Sequence, residues 1–364
     1  MHLALIISSL NSGGAERVLS ELANYWVSKG HQVTLVTLAS PDAKPFYPLD
    51  SKVRLIQLDQ TQNESSFLTR LGNILRRLFC LRKVLKTLNP NVVLSFVDVM
   101  NLTTLLATVG LETPVIVSER IDPHFHHIPS LYKKIRPFLY RLARKIVVQT
   151  NSTASYFGND LQRIIQIIPN PVKSPKHHKI FSSTVRSVLS VGRLDQQKDH
   201  KTLIHAFAHL YPTYPHLTLT IYGEGPQREN LQNLINSLNL QKSVSLPGIT
   251  QDIHEKLTAA DLFVFPSLYE GFPNALVEAM SVGLPVIASN CSGNIDIVRD
   301  GIDGCLFPVG DVLKLAALME ELVCDSNTRK RLGEEAKTVT EYFHPDHIFH
   351  RWDEVISGAT GRII

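Results

Sequence analysis

Short apolar, β-branched runs alternate with longer amphipathic windows from one end of the chain to the other. Buried strands of a parallel sheet read as continuous hydrophobic runs, and the helices that cover them read with a period near 3.6. The alternation therefore predicts an α/β protein built on parallel sheets. In the first half, strands are expected at 2–9, 32–39, 53–58, 92–96, 114–119 and 145–150, with helices at 15–29, 66–88, 130–143 and 151–158. After Ile167 and Ile168 the run Pro169-Asn170-Pro171 disfavours helix and removes backbone donors. The pattern then restarts, with strands at 185–192, 217–222, 244–247, 262–266, 285–289 and 304–307 and helices at 199–211, 226–239, 251–260, 274–282 and 311–324. Two doubly wound units are expected, over 1–168 and 169–345, with 346–364 forming a C-terminal helix that returns toward the first.

Composition narrows the class. At 364 residues, 44% hydrophobic and 19% charged, the chain can fill two cores. Met1 to Leu10 carries no basic leader region and runs into the polar Asn11-Ser12-Gly13-Gly14, so no secretory signal is expected. The longest apolar stretch, Val92 to Val109, holds Asp98 and Asn101, which argues against a bilayer span. Cys80, Cys291, Cys305 and Cys324 show neither close pairing nor metal-ligand spacing, which suits a reducing cytoplasm and no structural zinc. The net charge of +4 is unevenly spread: residues 1–170 hold 19 Lys/Arg against 11 Asp/Glu, and the remainder 18 against 22. A basic first half is expected to face an anionic partner.

Ligands of doubly wound sheets bind beyond the carboxyl ends of the strands, so the loops that follow strands carry the chemistry. The first strand leads into Gly13-Gly14-Ala15-Glu16 and a helix, where paired glycines allow close backbone approach and the helix start favours phosphate. A plain tight turn fits the same residues, and the dinucleotide fingerprint lacks its third glycine. Gly192-Arg193-Leu194-Asp195-Gln196-Gln197-Lys198 follows the first strand of the second half and offers a guanidinium fork and an ammonium to a diphosphate. Alone, it reads equally as a solvated loop. Gly223-Glu224-Gly225-Pro226 closes the next strand and is weak by itself. Glu270-Gly271-Phe272-Pro273-Asn274-Ala275-Leu276-Val277-Glu278 joins the apolar strand 262–266 to a helix. Pro273 suits the first turn, leaving Asn274, Ala275 and Leu276 to present unpaired N–H groups, with Glu270 before the helix and Glu278 within it. A rise of roughly 7–8 Å from Pro273 to Glu278 would separate sugar contacts from ribose contacts.

In order and spacing, Gly-Gly-Ala-Glu, Gly-Arg-Leu-Asp-x-x-Lys-Asp, Gly-Glu-Gly-Pro, Glu-Gly-Phe-Pro-Asn-x-Leu-x-Glu-Ala-Met and Gly-x-Pro-Val-Ile-Ala resemble the retaining glycosyltransferases of family four, over nearly the whole chain. The resemblance implies a GT-B fold, two Rossmann-like domains facing across a cleft, with a UDP-sugar donor held mainly by the second and the acceptor by the first. It places Glu270 at the donor sugar, Glu278 at the ribose, Arg193 and Lys198 at the diphosphate, and Gly271, Phe272, Pro273, Asn274, Ala275 and Leu276 along the donor. Ile249 and Thr250 fall at the base pocket, and Gly14 and Glu119 approach the donor from the first domain. It implies no cofactor and no metal, and no Asp-x-Asp motif occurs. The acceptor hydroxyl would attack from the face the leaving group departs, its proton passing to a donor phosphate oxygen. One departure concerns Ser118-Glu119-Arg120, where many members carry histidine in place of Arg120. An arginine cannot shuttle protons, so hydrogen bonding to sugar or phosphate is expected of it. His124, His126 and His127 in the same loop are expected to be surface or supporting residues.

Arg70, Arg76, Arg77, Arg82, Lys83 and Lys86 lie between 70 and 86 without an acidic residue. At 100° per residue Leu71, Ile74, Leu75, Leu78, Leu81 and Leu85 gather opposite Arg70, Arg76, Arg77 and Lys83, a basic amphipathic helix. A second cluster, Lys133, Lys134, Arg136, Arg141, Arg144 and Lys145, accompanies Tyr132, Phe138 and Tyr140. Ordinary solvated helix faces would look the same. An anionic bilayer or a lipid diphosphate would satisfy both clusters. The chain is similar to bacterial enzymes that extend undecaprenyl-diphosphate-linked glycans, including N-acetylgalactosamine transferases, which implies Arg70, Arg76, Arg77 and Lys83 at the lipid diphosphate and a peripheral position on the cytoplasmic face of the inner membrane. The alternatives are a soluble transferase making a small glycoside and a noncatalytic nucleotide-sugar-binding subunit. No nucleic-acid-binding module accompanies the basic faces.

Overall fold

The computed structural model describes residues 1–60, 67–125 and 130–364, with backbone alone at 67–71 and 130–131. They fall into two compact units: Met1–Pro171 together with Asp346–Ile364, and Val172–Pro345.

The first unit runs β1 (His2–Ile7), α1 (Gly14–Ser28), β2 (Gln32–Thr37), β3 (Arg54–Gln57), α2 (Phe67–Leu88), β4 (Val92–Phe96), α3 (Asp98–Thr108), β5 (Val115–Ser118), α4 (Ser130–Tyr140), β6 (Lys145–Val148), α5 (Asn151–Ser155), α6 (Asn159–Gln162) and β7 (Ile165–Ile167). Its strands form one parallel sheet in the order β3-β2-β1-β4-β5-β6-β7. β1 and β4 have every residue from Leu3 to Ile7 and from Val92 to Phe96 fully buried, as strands covered on both faces require. The order reverses between β1 and β4, so the loops after these two strands flank the crevice where such sheets bind ligands.

The second unit runs β8 (Ser187–Val191), a 3₁₀ turn (Gln196–Lys198), α7 (His200–Leu210), β9 (Thr218–Tyr222), α8 (Arg228–Ser237), β10 (Val244–Gly248), α9 (Ile253–Ala259), β11 (Leu262–Phe265), α10 (Asn274–Ser281), β12 (Val286–Ser289), α11 (Ser292–Ile295), β13 (Cys305–Phe307), α12 (Val312–Cys324), α13 (Ser326–Ala336) and α14 (Val339–Tyr342). Its parallel sheet has the order β10-β9-β8-β11-β12-β13, reversing between β8 and β11. The loops carrying Arg193 to Lys198 and Glu270 thus leave adjacent strand ends.

The last helix, α15 (Pro345–Thr360), belongs to the first unit and lays Ile348, Trp352, Val355 and Ile356 into the core that holds Trp26 and Phe96. Asp353 accepts hydrogen bonds from the Tyr25 hydroxyl at 2.7 Å and the Trp26 indole at 2.8 Å, which fixes the rotation of α15 about its axis.

Two expectations change. The apolar stretch 92–109 holds a strand and then α3, a helix without an amphipathic period because Met100, Leu102 and Leu105 are all buried. On α2, Leu81 and Leu85 are buried as expected, whereas Leu75 is 59% exposed and Phe79 71%. Part of the basic face is also engaged: Arg82 clamps the Ala107 and Val109 carbonyls at 2.7 and 2.8 Å, and Arg77 donates to the Gln60 carbonyl at 3.0 Å. Among the described residues no helix is long and apolar enough to cross a membrane.

Candidate active site

In the second unit the chain leaves β8 through Gly192, Arg193 and Leu194, whose side chain is fully buried and pins the loop. The Asp195 carboxylate accepts the Lys198 amide at 3.2 Å and closes the 3₁₀ turn. Gly-Glu-Gly-Pro now has a packing reason. A Cβ at Gly223, whose φ is +151°, would sit 1.9 Å from the Gly192 carbonyl oxygen, and one at Gly225 would sit 2.4 Å from that of Leu194. No side chain fits beneath the loop. Below it lies His200, buried, whose imidazole is pulled down to about 4 by burial and by the Lys198 charge. It is neutral at physiological pH.

The loop after β11 is tied to the first. The Leu268 amide donates to the Gln197 carbonyl at 2.8 Å, and the Gln197 side-chain amide donates to the Tyr269 carbonyl at 2.9 Å. These bonds bring Lys198 Nζ to 2.5 Å from Glu270 Oε1 and 4.8 Å from the Phe265 ring. With side chains 15% and 6% exposed, the pair is shielded enough for its attraction to be felt. Gly293 is required behind it, because a Cβ there would come 2.6 Å from the Glu270 carbonyl oxygen.

Helix α10 starts at Asn274, as the sequence pattern predicts, but Pro273 stands before its first turn and not within it. Pro273 is the N-cap, with φ −83° and ψ 74°, and the Asn274 amide donates to the Phe272 carbonyl at 3.0 Å. Asn274 is therefore not among the open donors, and the first turn leaves the Ala275 and Leu276 amides without an i−4 carbonyl. Phe272 stands edge-on to Phe343 at 5.5 Å and Leu276 is fully buried, so both side chains are core and offer ligands backbone alone. Glu278 is buried within α10. Arg193 is 75% exposed and paired with Asp195 at 3.2 Å, apart from the Lys198–Glu270 pair. After β10, Ile249 is 63% exposed and the Thr250 hydroxyl accepts the Asp252 amide at 3.2 Å. A buried carboxylate, an ammonium held against it and a helix start thus stand together at the switch point, suited to a diphosphate bearing hydroxyl groups.

In the first unit Gly14 opens α1 directly after the N-cap Gly13, over which the Glu16 carboxylate folds. At the end of β4, Val97 is held at φ 73° and ψ 138°, a conformation costly for a β-branched residue. At the end of β5 the two neighbours diverge. Glu119 turns inward, where the Tyr140 hydroxyl and Arg136 Nη1 donate to its carboxylate, and burial pushes it up to about 7 against the Arg136 charge. At 2% exposure it is an acid of the first unit's core. Arg120 is 8% exposed, and burial pulls its guanidinium down to about 9. It lies 3.9 Å from the Phe96 ring centroid and 5.5 Å from that of Trp352, and its Nη1 donates to Asn170 Oδ1 at 2.8 Å. Its Nε and Nη2 find no acceptor among the described residues, nor does Trp352 Nε1. A protonated guanidinium held in an aromatic box with open donors is expensive unless it serves chemistry.

Phe96, Asn170 and Trp352 were not legible as partners of Arg120, and neither Gly293 nor His200 carried a motif signal. His124 Nδ1 sits 2.8 Å from the buried Asp122, whereas His126 and His127 lie outside the described residues. Of the α2 cations, Arg76 and Lys83 are exposed and Arg77 half-buried; the Arg70 side chain also lies outside the described residues.

Residues 12–174 match the family described as Glycosyltransferase Family 4, and residues 174–339 that described as Glycosyl transferases group 1. A Campylobacter jejuni protein named as an undecaprenol-diphosphate-glycan α-1,4-N-acetyl-D-galactosaminyltransferase is 29% identical over 361 residues, 98% of each chain. The amylovoran biosynthesis glycosyltransferase AmsD of Erwinia amylovora is 25% identical over 98% of this chain and 99% of its own. Among solved structures, sucrose-phosphate synthase from Thermosynechococcus elongatus superposes with a TM-score of 0.85 at 18% identity, covering 97% of this chain and 98% of that one. Anabaena HepE in complex with UDP gives 0.79 at 18%, covering 98% and 100%. With two Rossmann-like parallel sheets and two adjoining family matches spanning 12–339, the chain belongs to the group 1 and family 4 glycosyltransferases of GT-B fold.

Proposed function

We propose that this glycosyltransferase moves a hexose or N-acetylhexosamine, N-acetylgalactosamine first among them, from a UDP-sugar to a hydroxyl of an undecaprenyl-diphosphate-linked glycan, with retention and without a bound metal. The observation that carries the donor half is the Lys198–Glu270 pair beside the first turn of α10. On this reading Lys198 trades its carboxylate for a donor phosphate, with Arg193 swinging from Asp195 to join it. Glu270 is then released to accept sugar hydroxyl hydrogen bonds, the Ala275 and Leu276 amides take phosphate oxygen, and Glu278 takes the ribose. Two cations and a helix start neutralise the departing diphosphate, the work a metal ion would otherwise do. The acceptor hydroxyl attacks the anomeric carbon from the face UDP leaves, and its proton passes to the departing phosphate oxygen. Arg120, buried in the first unit with Nε and Nη2 open, is read as a hydrogen-bond donor to sugar or phosphate.

The acceptor half draws on the names of two Campylobacter jejuni relatives, both transferases to undecaprenol-diphosphate-linked glycans, at 29% and 26% identity. The exposed cations of α2 and α4 suit a lipid diphosphate and an anionic bilayer, hence a peripheral place on the cytoplasmic face of the inner membrane. The test is a mass-spectrometric screen of UDP-sugars against an undecaprenyl-diphosphate glycan extract, with and without EDTA. A product one N-acetylhexosamine heavier, formed in EDTA and cleaved by an α-specific glycosidase, is expected. Transfer to free sugars or small glycosides, with the lipid-linked extract untouched, would overturn the acceptor assignment.

A further inference from the structure

We propose that a polar cavity at the amino-terminal edge of β4, β5 and β6 binds the phosphate headgroup of an anionic phospholipid. The cavity holds about 620 Å³ and is lined by Asn91, Glu112, Arg141, Arg144, Thr360 and Arg362 among others. Asn91 immediately precedes β4, Arg144 immediately precedes β6, and Thr360 ends α15, so the cavity opens at the end of the sheet opposite Val97 and Arg120. It is a different place in the first unit from the candidate active site.

Its charge favours an anion. Arg141 is paired with Asp160 at 2.8 Å, whereas Arg144 and Arg362 make no ion pair among the described residues and both are exposed. Glu112 is the one carboxylate in the lining, so two free guanidinium forks outweigh it. Guanidinium groups flanked by the Asn91 side-chain nitrogen match the oxygens of a phosphodiester, whereas the Asn91 Oδ1 is held by the His2 amide and the Thr360 hydroxyl is donated to the Ile356 carbonyl.

The rim decides between a soluble phosphate and a lipid. Phe138 is 65% exposed and Leu142, which also lines the cavity, is 55% exposed. The Arg141 guanidinium lies 5.3 Å from the Phe138 ring centroid, which joins the aromatic to the cavity wall. Lys133 and Lys134 stand exposed on the same helix, α4. A free phosphate leaves two large apolar side chains in water. A headgroup seated among the arginines lets Phe138 and Leu142 enter the acyl boundary beside it. The site rests on the membrane-surface reading above and specifies where that contact is made.

Sedimentation with vesicles of phosphatidylglycerol in phosphatidylcholine tests the site, against vesicles of phosphatidylcholine alone. Three variants of the full chain are compared: Arg144→Gln with Arg362→Gln, Phe138→Ser with Leu142→Ser, and, on α2, Arg76→Gln with Lys83→Gln. At about fivefold per basic residue, the arginine pair is expected to weaken binding to anionic vesicles about thirtyfold. The apolar pair is expected to weaken it at least tenfold, with tryptophan emission unchanged in both. If both cavity variants bind as the wild type does while the α2 variant loses binding, the cavity assignment is overturned and the membrane reading stands. A wild type that ignores phosphatidylglycerol overturns both. If the apolar pair changes nothing while the arginine pair weakens calorimetric binding of inorganic phosphate, the ligand is a soluble phosphate and the lipid assignment fails.

Discussion

Arg120→Met separates chemistry from folding at one position. Burial pulls the guanidinium from its ordinary value down to about 9, which corresponds to a desolvation cost of about 5 kcal/mol, at about 1.4 kcal/mol per pK unit. Against it stand one charged hydrogen bond to Asn170, about 1.5–3 kcal/mol, and stacking on Phe96 and Trp352, about 1–2 kcal/mol each. These roughly cancel the burial cost and leave Nε and Nη2 unsatisfied, so the native arginine adds little to stability. Methionine has a similar reach, packs against both rings and leaves no donor stranded. Asn170 keeps its bond from the Gln149 amide at 2.8 Å. The variant is therefore expected to be as stable as the wild type or more so, by about 0–3 kcal/mol. Transfer activity should fall at least 100-fold, about 2.7 kcal/mol of lost transition-state stabilisation. The assay is specific, because both tryptophans of the sequence, Trp26 and Trp352, belong to the first unit. Urea unfolding followed by tryptophan emission thus reports on the unit that holds Arg120. A midpoint lowered by the equivalent of more than about 3 kcal/mol would make the arginine structural. Transfer within threefold of wild type would refute its functional role.

Three further outcomes follow from the site. Gly293→Ala drives a methyl group into the Glu270 carbonyl, so KM for the donor should rise at least tenfold with the first unit's unfolding midpoint unchanged; an unaltered KM would mean that the loop has room to move. In a double-mutant cycle of Lys198→Met and Glu270→Gln, each single change strands a shielded polar partner, and a coupling of about 1–3 kcal/mol is expected in thermal unfolding; additivity would show the pair to be energetically idle. The two units should respond oppositely to pH. Glu119 is raised by burial from 4.5 to about 7, so the folded first unit holds a proton that the unfolded chain has released and loses stability as pH rises from about 4.5 to 7. His200 is lowered by burial from 6.5 to about 4, so the second unit loses stability as pH falls across that window, and calorimetry of Glu119→Gln and His200→Gln should each flatten one slope.

Strands buried on both faces, such as β1 and β11, announced themselves as apolar runs, and the loops that follow them were placed by sheet topology alone. Helix α3 escaped because burial erased its polar face, and β7, three residues at the sheet edge, is too short for any period to show. In the loops after β8 and β11, the residue types and order were readable, but their pairing was not. Lys198 and Glu270 are 72 positions apart, and it is the Gln197–Tyr269 bond that joins them. The start of α10 was legible, but not that Pro273 would cap it and leave the Asn274 amide spent on Phe272, because proline suits both N1 and the cap. The partners of Glu119 were hidden for a simpler reason: adjacent residues at a strand end face opposite ways, so the surroundings of Arg120 say nothing of its own. The box around Arg120 draws on β4, the 169–171 run and α15, which no local pattern connects.

The path of α15 bears on how the chain is made. Residues 172–345 are contiguous, so the second unit can close its core as soon as Pro345 has left the ribosome. The first unit, although synthesised earlier, lacks Ile348, Trp352, Val355 and Ile356 until the last turns of α15 arrive. Translation order and completion order are thus reversed, and the nascent first sheet waits through about 175 residues of synthesis with Phe96 and Trp26 incompletely covered, at about 5–20 residues per second. A ribosome stalled between the units should hold a chaperone-dependent intermediate, and a stop codon before Trp352 should yield a folded second unit attached to an unfinished first.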